Sequence, residues 1–267
     1  MPPQHHLCHL SASPTPLRKP FPNTPTILII GAGNGRLRAQ RQTSYISGAL
    51  WELPPSQCGG VRVIWALENF AIYRDLAYKN PETARKSGVR MAMCTVFHTY
   101  RANGGLKDGY EHFAPVIDTD VAMVFWMDLV KSKGAILQSH LRDFYHADEI
   151  VNATGRLARE TASDNSVYPL RGALLRVVND RSSFPKITSL FIVSVEADED
   201  GEYRDIAFIV PRNDSILVLG SIVQAHEYDL DLTLNSPKIE EMRKRCEDLL
   251  PVLKNAKLDP TNPLVQG

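Results

Sequence analysis

Residues 24–36 read TPTILIIGAGNGR, a short apolar run rich in isoleucine that ends in a Gly-Ala-Gly turn. In a dinucleotide-binding fold such a turn follows the first strand, and a pyrophosphate lies at the N-terminus of the next helix. Gly31 would make the tight turn, and Gly33 would let the backbone approach the phosphates. The full pattern has a third glycine where this chain has Arg36. A buried strand that simply ends in a turn explains the stretch equally well.

The composition limits the classes of partner. Lys and Arg together number 30, as do Asp and Glu, so the net charge is zero and no basic field favours a nucleic-acid partner. The cysteines are scattered, which excludes a zinc ribbon or a disulfide framework and favours a reducing, cytoplasmic location. No apolar run approaches the ~18 residues of a membrane helix, so no membrane partner is expected.

Residues 1–23 are rich in Pro, Ser, Thr and His, which predicts a disordered extension. His5, His6 and His9 lie close together with Cys8 there, but nothing rigid would hold them in a ligand geometry. We therefore expect no metal site.

The next segments carry helix and strand signals. Apolar residues three apart predict a helix over 67–79, ending before Pro81, and the apolar run 91–97 predicts a strand. Asp118 is a good N-cap for a helix over 121–133. Because that helix is apolar nearly all round, we expect it to be buried.

Two short strands are predicted next, over 135–141 and 149–153, and the second leads directly into Thr154-Gly155. A small residue at this strand end would let the backbone approach a ligand, although an ordinary turn explains it slightly better. Consecutive strands then predict an antiparallel sheet, with an acidic hairpin tip at 197–205. The strands of this sheet are predicted over 173–178, 190–195, 206–210 and 216–223.

Ser236-Pro237 predicts the start of a helix with one apolar face, formed by Ile239, Met242, Cys246 and Leu249. Cys246 lies on that face, so it is expected to be a core residue and not a nucleophile. The final residues, LDPTNPLVQG, carry no closing strand in this interpretation and read like the middle of a domain.

Seven segments in order resemble one family, the flavin-dependent D-amino acid oxidases, particularly the fungal members. They cover nearly everything from Thr26 to Gly267. The segments are ILIIGAG (27–33), SYISGALWELPP (44–55), IDTDVAMVFWMDLVKSKGA (117–135), EIVNATG (149–155), YPLRGALLRV (168–177), FIVPRNDSILVLG (208–220) and LLPVLKNAKLDP (249–260). An NAD-binding module is the weaker alternative, since no usable acidic residue follows the glycine turn.

The resemblance implies an α/β fold in which a Rossmann-like FAD-binding domain is interleaved with a substrate domain built on an antiparallel sheet. The expected boundaries are 24–66 and 115–172 for the FAD-binding domain, and 67–114 and 173–267 for the substrate domain. The implied reaction oxidises a D-amino acid to the 2-oxo acid and ammonia, while oxygen is reduced to hydrogen peroxide. The cofactor carries the chemistry, so no protein nucleophile is needed. Family members are often peroxisomal, which is the alternative location.

The resemblance also assigns residues to the site. The pyrophosphate would lie at Gly31 and Gly33, and a segment beside the flavin would contain Thr43, Ser44, Gly48, Ala49 and Leu50. Leu141 and Thr154 would add cofactor contacts. Tyr203 and Phe208 match substrate-side tyrosines of the family.

Three departures from the family favour a second hypothesis, a truncated and catalytically inactive homologue that binds FAD weakly or not at all. The second half of the early Rossmann unit is missing between Gly35 and Thr43. Phe208 lacks the hydroxyl of the family's tyrosine. The family's carboxylate-binding arginine and second glycine-rich loop would follow Gly267. Arg212 lies nearby in sequence but is given no role.

Overall fold

The computed structural model describes residues 27–31, 47–48, 51, 60–99, 106–135, 147–195 and 206–267. The chain divides into a smaller unit, residues 1–32 with 138–166, and a larger unit, residues 33–137 with 167–267. In chain order the described strands are β1 (Ile27–Gly31), β2 (Val89–Thr99), β3 (Leu106–Ile117), β4 (Glu149–Ala153), β5 (Leu170–Val178), β6 (Leu190–Val195), β7 (Ala207–Pro211), β8 (Ile216–Ala225) and β9 (Leu264–Gln266). The α-helices are α1 (Val61–Tyr78), α2 (Pro81–Ser87), α3 (Thr119–Ser132), α4 (Ala158–Thr161) and α5 (Pro237–Leu249).

The smaller unit contains a parallel pair of strands, β1 and β4, in register from Ile27 opposite Glu149 to Gly31 opposite Ala153. A single 3₁₀ turn over Gly155–Leu157 follows β4 and leads into α4. The predicted strands at 27–31 and 149–153 are confirmed. Of the strand predicted over 135–141, residues 136–141 lie outside the described residues.

The larger unit is built on a seven-stranded sheet in the order β3-β2-β6-β7-β8-β5-β9. Neighbouring strands are antiparallel except β2 and β6, which run parallel with Cys94 opposite Leu190. The predicted α/β class with a mainly antiparallel sheet is confirmed. The acidic segment 197–205 lies outside the described residues, but β6 and β7 pair antiparallel, as the ends of a hairpin do.

Successive side chains of a strand point to opposite faces of its sheet, and each face here has its own core. The face that α5 covers packs Ile239, Met242 and Cys246 against residues of β5, β7 and β8, among them Leu175, Ile209, Leu217 and Leu219. The opposite face packs a second cluster on β2, β3, β6 and β7, to which Phe208 is added: Ala92, Cys94, Val96, Ala114, Val116, Leu190, Ile192 and Val210. The predicted apolar face of α5 is confirmed.

Three details correct the sequence interpretation. α1 begins at Val61, six residues before the predicted start. The prediction missed this start because Gly60, the N-cap residue, has no side chain that could mark it. The prediction that the helix after Asp118 is buried is wrong: Val124 is 55% exposed, since only the side with Thr119 and Ala122 packs inward. The prediction of no closing strand is also wrong, because β9 pairs with β5 at the sheet edge.

Asp118 caps α3 as predicted: its carboxylate accepts a hydrogen bond from the backbone N–H of Asp120 at 3.2 Å. Among the described residues no helix is both long enough and apolar enough to cross a bilayer.

Candidate functional site

The carboxyl ends of β1 and β4 meet at one edge of the smaller unit. Gly31 lies opposite Ala153, and Thr154 follows at once. Ligands of open parallel sheets bind outside this edge. The Thr154 N–H and hydroxyl donate to the Asn152 side-chain oxygen at 3.1 and 2.7 Å, which fixes the turn. Gly155 has φ +59°, and no atom of the described residues lies within 4 Å of where a Cβ would be. Two predicted residues, Gly31 and Thr154, are thus brought to one edge of the smaller unit.

In the larger unit, Trp51 anchors the segment that the resemblance places beside the flavin. Its backbone N–H donates to the Pro115 carbonyl of β3 at 3.1 Å, and its indole N–H donates to the Ala66 carbonyl of α1 at 3.3 Å. Its ring meets Phe70 edge-on at 5.0 Å and His112 at 6.5 Å. The segment is therefore fixed at this end by both a strand and a helix.

Gly48, in the same segment, packs against the Phe208 ring of β7. A Cβ built on Gly48 would lie 3.0 Å from Phe208 Cε2. A Cβ on Gly220 of β8 would lie 2.3 Å from Phe208 Cζ and 2.6 Å from Leu174 Cδ2. The ring thus lies between two glycines, and the structure brings together a predicted flavin-side residue and a predicted substrate-side residue.

Arg212, immediately after β7, is the residue that sequence reasoning missed. Its side chain is 1% exposed, and it donates to the Ser47 carbonyl at 3.3 Å and to the Thr119 hydroxyl at 2.5 Å. The Asp120 carboxylate lies 3.1 Å from the same guanidinium. Burial lowers the pKa of Arg212, and the charge of Asp120 opposes that shift. The sequence around Arg212 gives no sign of these contacts, because Thr119 and Ser47 lie 93 and 165 residues away in sequence.

Cys246 lies beneath the β7–β8 pair, on the face that α5 covers. Its thiol lies 3.7 Å from the Phe208 carbonyl oxygen and 3.6 Å from that of Gly220, as a weak donor to both. Burial raises the pKa of the thiol to about 12, so the thiolate needed for a nucleophile is absent near neutral pH. The predicted core role is confirmed.

His112 of β3 lies between the rings of Trp51 and Tyr110. Its Nδ1 atom is buried and has no hydrogen-bond partner among the described residues, and burial lowers the pKa of the imidazole. The neutral form therefore suits this position. In the part of the chain that the structure describes, no group of three or more His, Cys, Asp or Glu side chains is placed to hold a metal ion.

The remaining predicted site residues lie outside the described residues, and their assignments stay predictions. They are Gly33, Thr43, Ser44, Ala49, Leu50, Leu141 and Tyr203.

No family model matches the chain. A D-amino-acid oxidase of Rubrobacter xylanophilus is 27% identical over 242 residues, which cover 82% of this chain and 69% of that protein. A D-amino-acid oxidase of Dictyostelium discoideum is 26% identical over 274 residues, covering 84% of this chain and 73% of that protein.

Solved structures share the fold. Glycine oxidase from Geobacillus kaustophilus matches with a TM-score of 0.67 at 13% identity, covering 90% of this chain and 75% of that chain. Glycerol-3-phosphate dehydrogenase from Bacillus halodurans, solved in complex with FAD, matches with a TM-score of 0.53 at 15% identity, covering 92% of this chain and 57% of that chain. At these identities the likeness concerns the fold, which is of the Rossmann-containing α/β type.

Proposed function

We propose that the chain is a member of the D-amino-acid oxidase family, an FAD-dependent oxidoreductase that oxidises a D-amino acid, since it is 26–27% identical to D-amino-acid oxidases over 82–84% of its length. The products are the 2-oxo acid, ammonia and hydrogen peroxide, with oxygen as the electron acceptor. The substrate is a small molecule, and neutral and acidic D-amino acids are both within this proposal.

One observation carries the proposal: Gly48 contacts Phe208. The family resemblance assigns Gly48 to the flavin side and Phe208 to the substrate side of the same site. These residues lie 160 positions apart, yet a Cβ on Gly48 would come within 3.0 Å of the Phe208 ring. An oxidase site needs this juxtaposition, because the reacting carbon of the substrate must lie against the cofactor.

Each unit, taken by itself, has described residues that suit part of an FAD molecule. At the edge where β1 and β4 end, Gly31 carries no side chain, and no described atom lies within 4 Å of a Cβ on Gly155, so the backbone at this edge suits the approach of a diphosphate. In the larger unit, Gly48 and Phe208 present a small residue and an apolar ring, a suitable wall for a planar group. When bound, FAD supplies the oxidation chemistry by accepting a hydride from the substrate.

A second candidate, a catalytically inactive homologue that binds FAD weakly or not at all, is favoured by the side chains at the start of β7 and just after its end. Phe208 offers no hydroxyl for a substrate carboxylate. Arg212, the cation next to this strand, is 1% exposed and donates to Ser47 and Thr119. A buried guanidinium held in this way is not positioned to bind a substrate carboxylate.

The test starts with the flavin spectrum of the full chain. Purified protein is mixed with FAD and passed through gel filtration, and we expect flavin absorbance to co-elute with the protein. Gly31→Ala should weaken this binding because it adds a methyl group where the backbone must approach the diphosphate. Gly172→Ala is the matched control: a Cβ there would meet only carbonyl oxygens, at 3.7 and 3.8 Å.

Turnover separates the two candidates. D-alanine added without oxygen should bleach the flavin bands, and readmitted oxygen should restore them with release of hydrogen peroxide. L-alanine is the control. Retained flavin without bleaching by neutral or acidic D-amino acids identifies the inactive homologue. Flavin that does not co-elute contradicts an active oxidase and is the outcome expected of the inactive homologue.

A further inference from the structure

Arg212 joins three parts of the larger unit at a buried point. Its guanidinium reaches the Ser47 carbonyl at 3.3 Å, the Thr119 hydroxyl at 2.5 Å and the Asp120 carboxylate at 3.1 Å. Ser47 precedes Gly48, while Thr119 and Asp120 form the first turn of α3. A planar fork of N–H donors is suited to several fixed acceptors at once, which a lysine ammonium is not.

Both ends of this connection are fixed independently of Ser47. The Arg212 N–H donates to the Ile216 carbonyl at 2.9 Å, and Arg90 donates to the carbonyls of Arg212 and Pro211. On the helix side, the Asp118 N–H donates to the Gly88 carbonyl at 2.8 Å. The sheet and the helix N-terminus therefore hold the guanidinium in place.

Ser47 is the partner that gains order from this arrangement. Ser47 and its neighbour Gly48 lie outside the regular strands and helices, and Gly48 has no side chain that could make a contact. Arg212 fixes the segment at Ser47, and the hydrogen bonds of Trp51 to Pro115 and Ala66 fix it four residues later. The stretch between these anchors contains Gly48, Ala49 and Leu50, the residues assigned to the flavin.

We infer that Arg212 is a positioning residue for the segment from Ser47 to Trp51, and that it acts on FAD through this segment without touching substrate. The effect of Arg212 on FAD rests on the proposed function. The claim that Arg212 orders the segment does not depend on it.

The test compares two methionine variants of the full chain. Arg212→Met removes the fork and keeps an apolar stem of similar length. The matched control, Arg176→Met, removes another largely buried arginine of the larger unit, which pairs with Asp259 at 2.9 Å. Hydrogen exchange of the Trp51 amide, whose hydrogen bond goes to Pro115, reports the order of the segment without FAD. We expect at least tenfold faster exchange in Arg212→Met and the wild-type rate in Arg176→Met.

FAD titration gives the second readout. Arg212→Met should raise the dissociation constant for FAD about tenfold or more, Arg212→Lys should lie between wild type and Arg212→Met, and Arg176→Met should match wild type. Thr119→Val removes one partner with little change of shape, and a smaller acceleration of Trp51 exchange is expected. It serves as the test variant if Arg212→Met does not fold.

The two proposals fail separately. A wild-type chain that does not bind FAD contradicts the proposed function, and the exchange experiment then decides the role of Arg212 alone. Unchanged Trp51 exchange in Arg212→Met, or equal acceleration in Arg176→Met, overturns the positioning role whatever the flavin result.

Discussion

Gly220 shows how one missing methyl group shapes the site, because the Phe208 ring occupies the space of its absent side chain. Gly220→Ala would place a Cβ 2.3 Å from Phe208 Cζ and 2.6 Å from Leu174 Cδ2. We expect a loss of about 1–3 kcal/mol in the free energy of unfolding, the usual range for overpacking. Urea denaturation measures it, and Gly172→Ala, with no close contact, should remain near wild type.

Phe208→Leu tests whether the ring is the cause. In a Gly220→Ala background, the smaller side chain should recover part of the lost stability, so the double-mutant cycle should give a coupling of about 1 kcal/mol or more. Strict additivity of the two changes would show that the strain comes from elsewhere in the sheet.

His112 makes stability depend on pH. Burial lowers its pKa in the folded state, so at mildly acidic pH the unfolded chain binds more protons at this residue. The stability that the neutral imidazole provides is present above its unfolded pKa of about 6.5 and is lost as pH falls through the folded pKa. His112→Phe should flatten this part of the stability curve in urea titrations between about pH 5 and pH 7.5. His98→Phe, which leaves His112 in place, should keep the wild-type slope.

Among single residues, the sequence predicted those whose environment follows from nearby residues. It did not predict the contacts of Arg212, whose partners are distant in sequence. Cys246 lies on an apolar helix stripe, so its burial follows from spacing. Phe208 was assigned from the family resemblance, and the structure places it against Gly48. Arg212 depends on Ser47 and Thr119, which only the folded chain brings close.

Among the elements, the turn from α2 to β2 depends on Gly88. This residue has φ +66°, and a Cβ on it would lie 2.7 Å from the Asp118 carbonyl oxygen. Gly88→Ala should therefore lose about 1–2 kcal/mol for the left-handed backbone and a further amount for the clash. Gly134→Ala is the matched control, with φ +88° and nothing within 4 Å. Thermal unfolding of both variants should show the larger loss at Gly88; equal losses would mean that the close approach contributes nothing.

Helices and strands were predicted correctly where capping residues or an alternating apolar pattern mark them. The prediction failed where the outcome depends on which other elements pack against the segment. Asn80 and Asp118 cap their helices through side-chain oxygens, and Asp118 was predicted from its residue type. The prediction that α3 is buried was wrong, because a helix that is apolar on all sides is buried only where other elements pack against it. β9 was missed because a three-residue strand carries too little alternation to be detected.

For the whole molecule, the two units should differ in local stability. Among the described residues the smaller unit's sheet has two strands, a size that is marginal on its own, and Ile27 and Ile29 of β1 are 55% and 63% exposed. The centre of the seven-stranded sheet buries Ile192 and Ile209 almost completely. We expect amides of β1 and β4 to exchange about 100-fold faster than those of β6 and β7. Excess FAD should slow exchange in β1 and β4, and equal protection of both sheets without FAD would contradict the prediction.

The overall class of the fold was predicted from seven segments taken together, since none alone is specific. The parallel pairing of β2 with β6 was not predicted, because strand neighbours so distant in sequence leave no local pattern.

That parallel pair has a consequence for synthesis on the ribosome. β2 and β3 emerge together as a hairpin, but β6 follows β2 roughly a hundred residues later. At ribosomal elongation rates of about 5–20 residues per second, this is a delay of about 5–20 s. During that interval the edge of β2 that will receive β6 has no partner, and its apolar face is uncovered. We therefore expect the yield of folded protein to depend on whether chaperones bind the nascent β2–β3 hairpin. Conditions that slow translation lengthen the time for which the edge and apolar face of β2 are exposed.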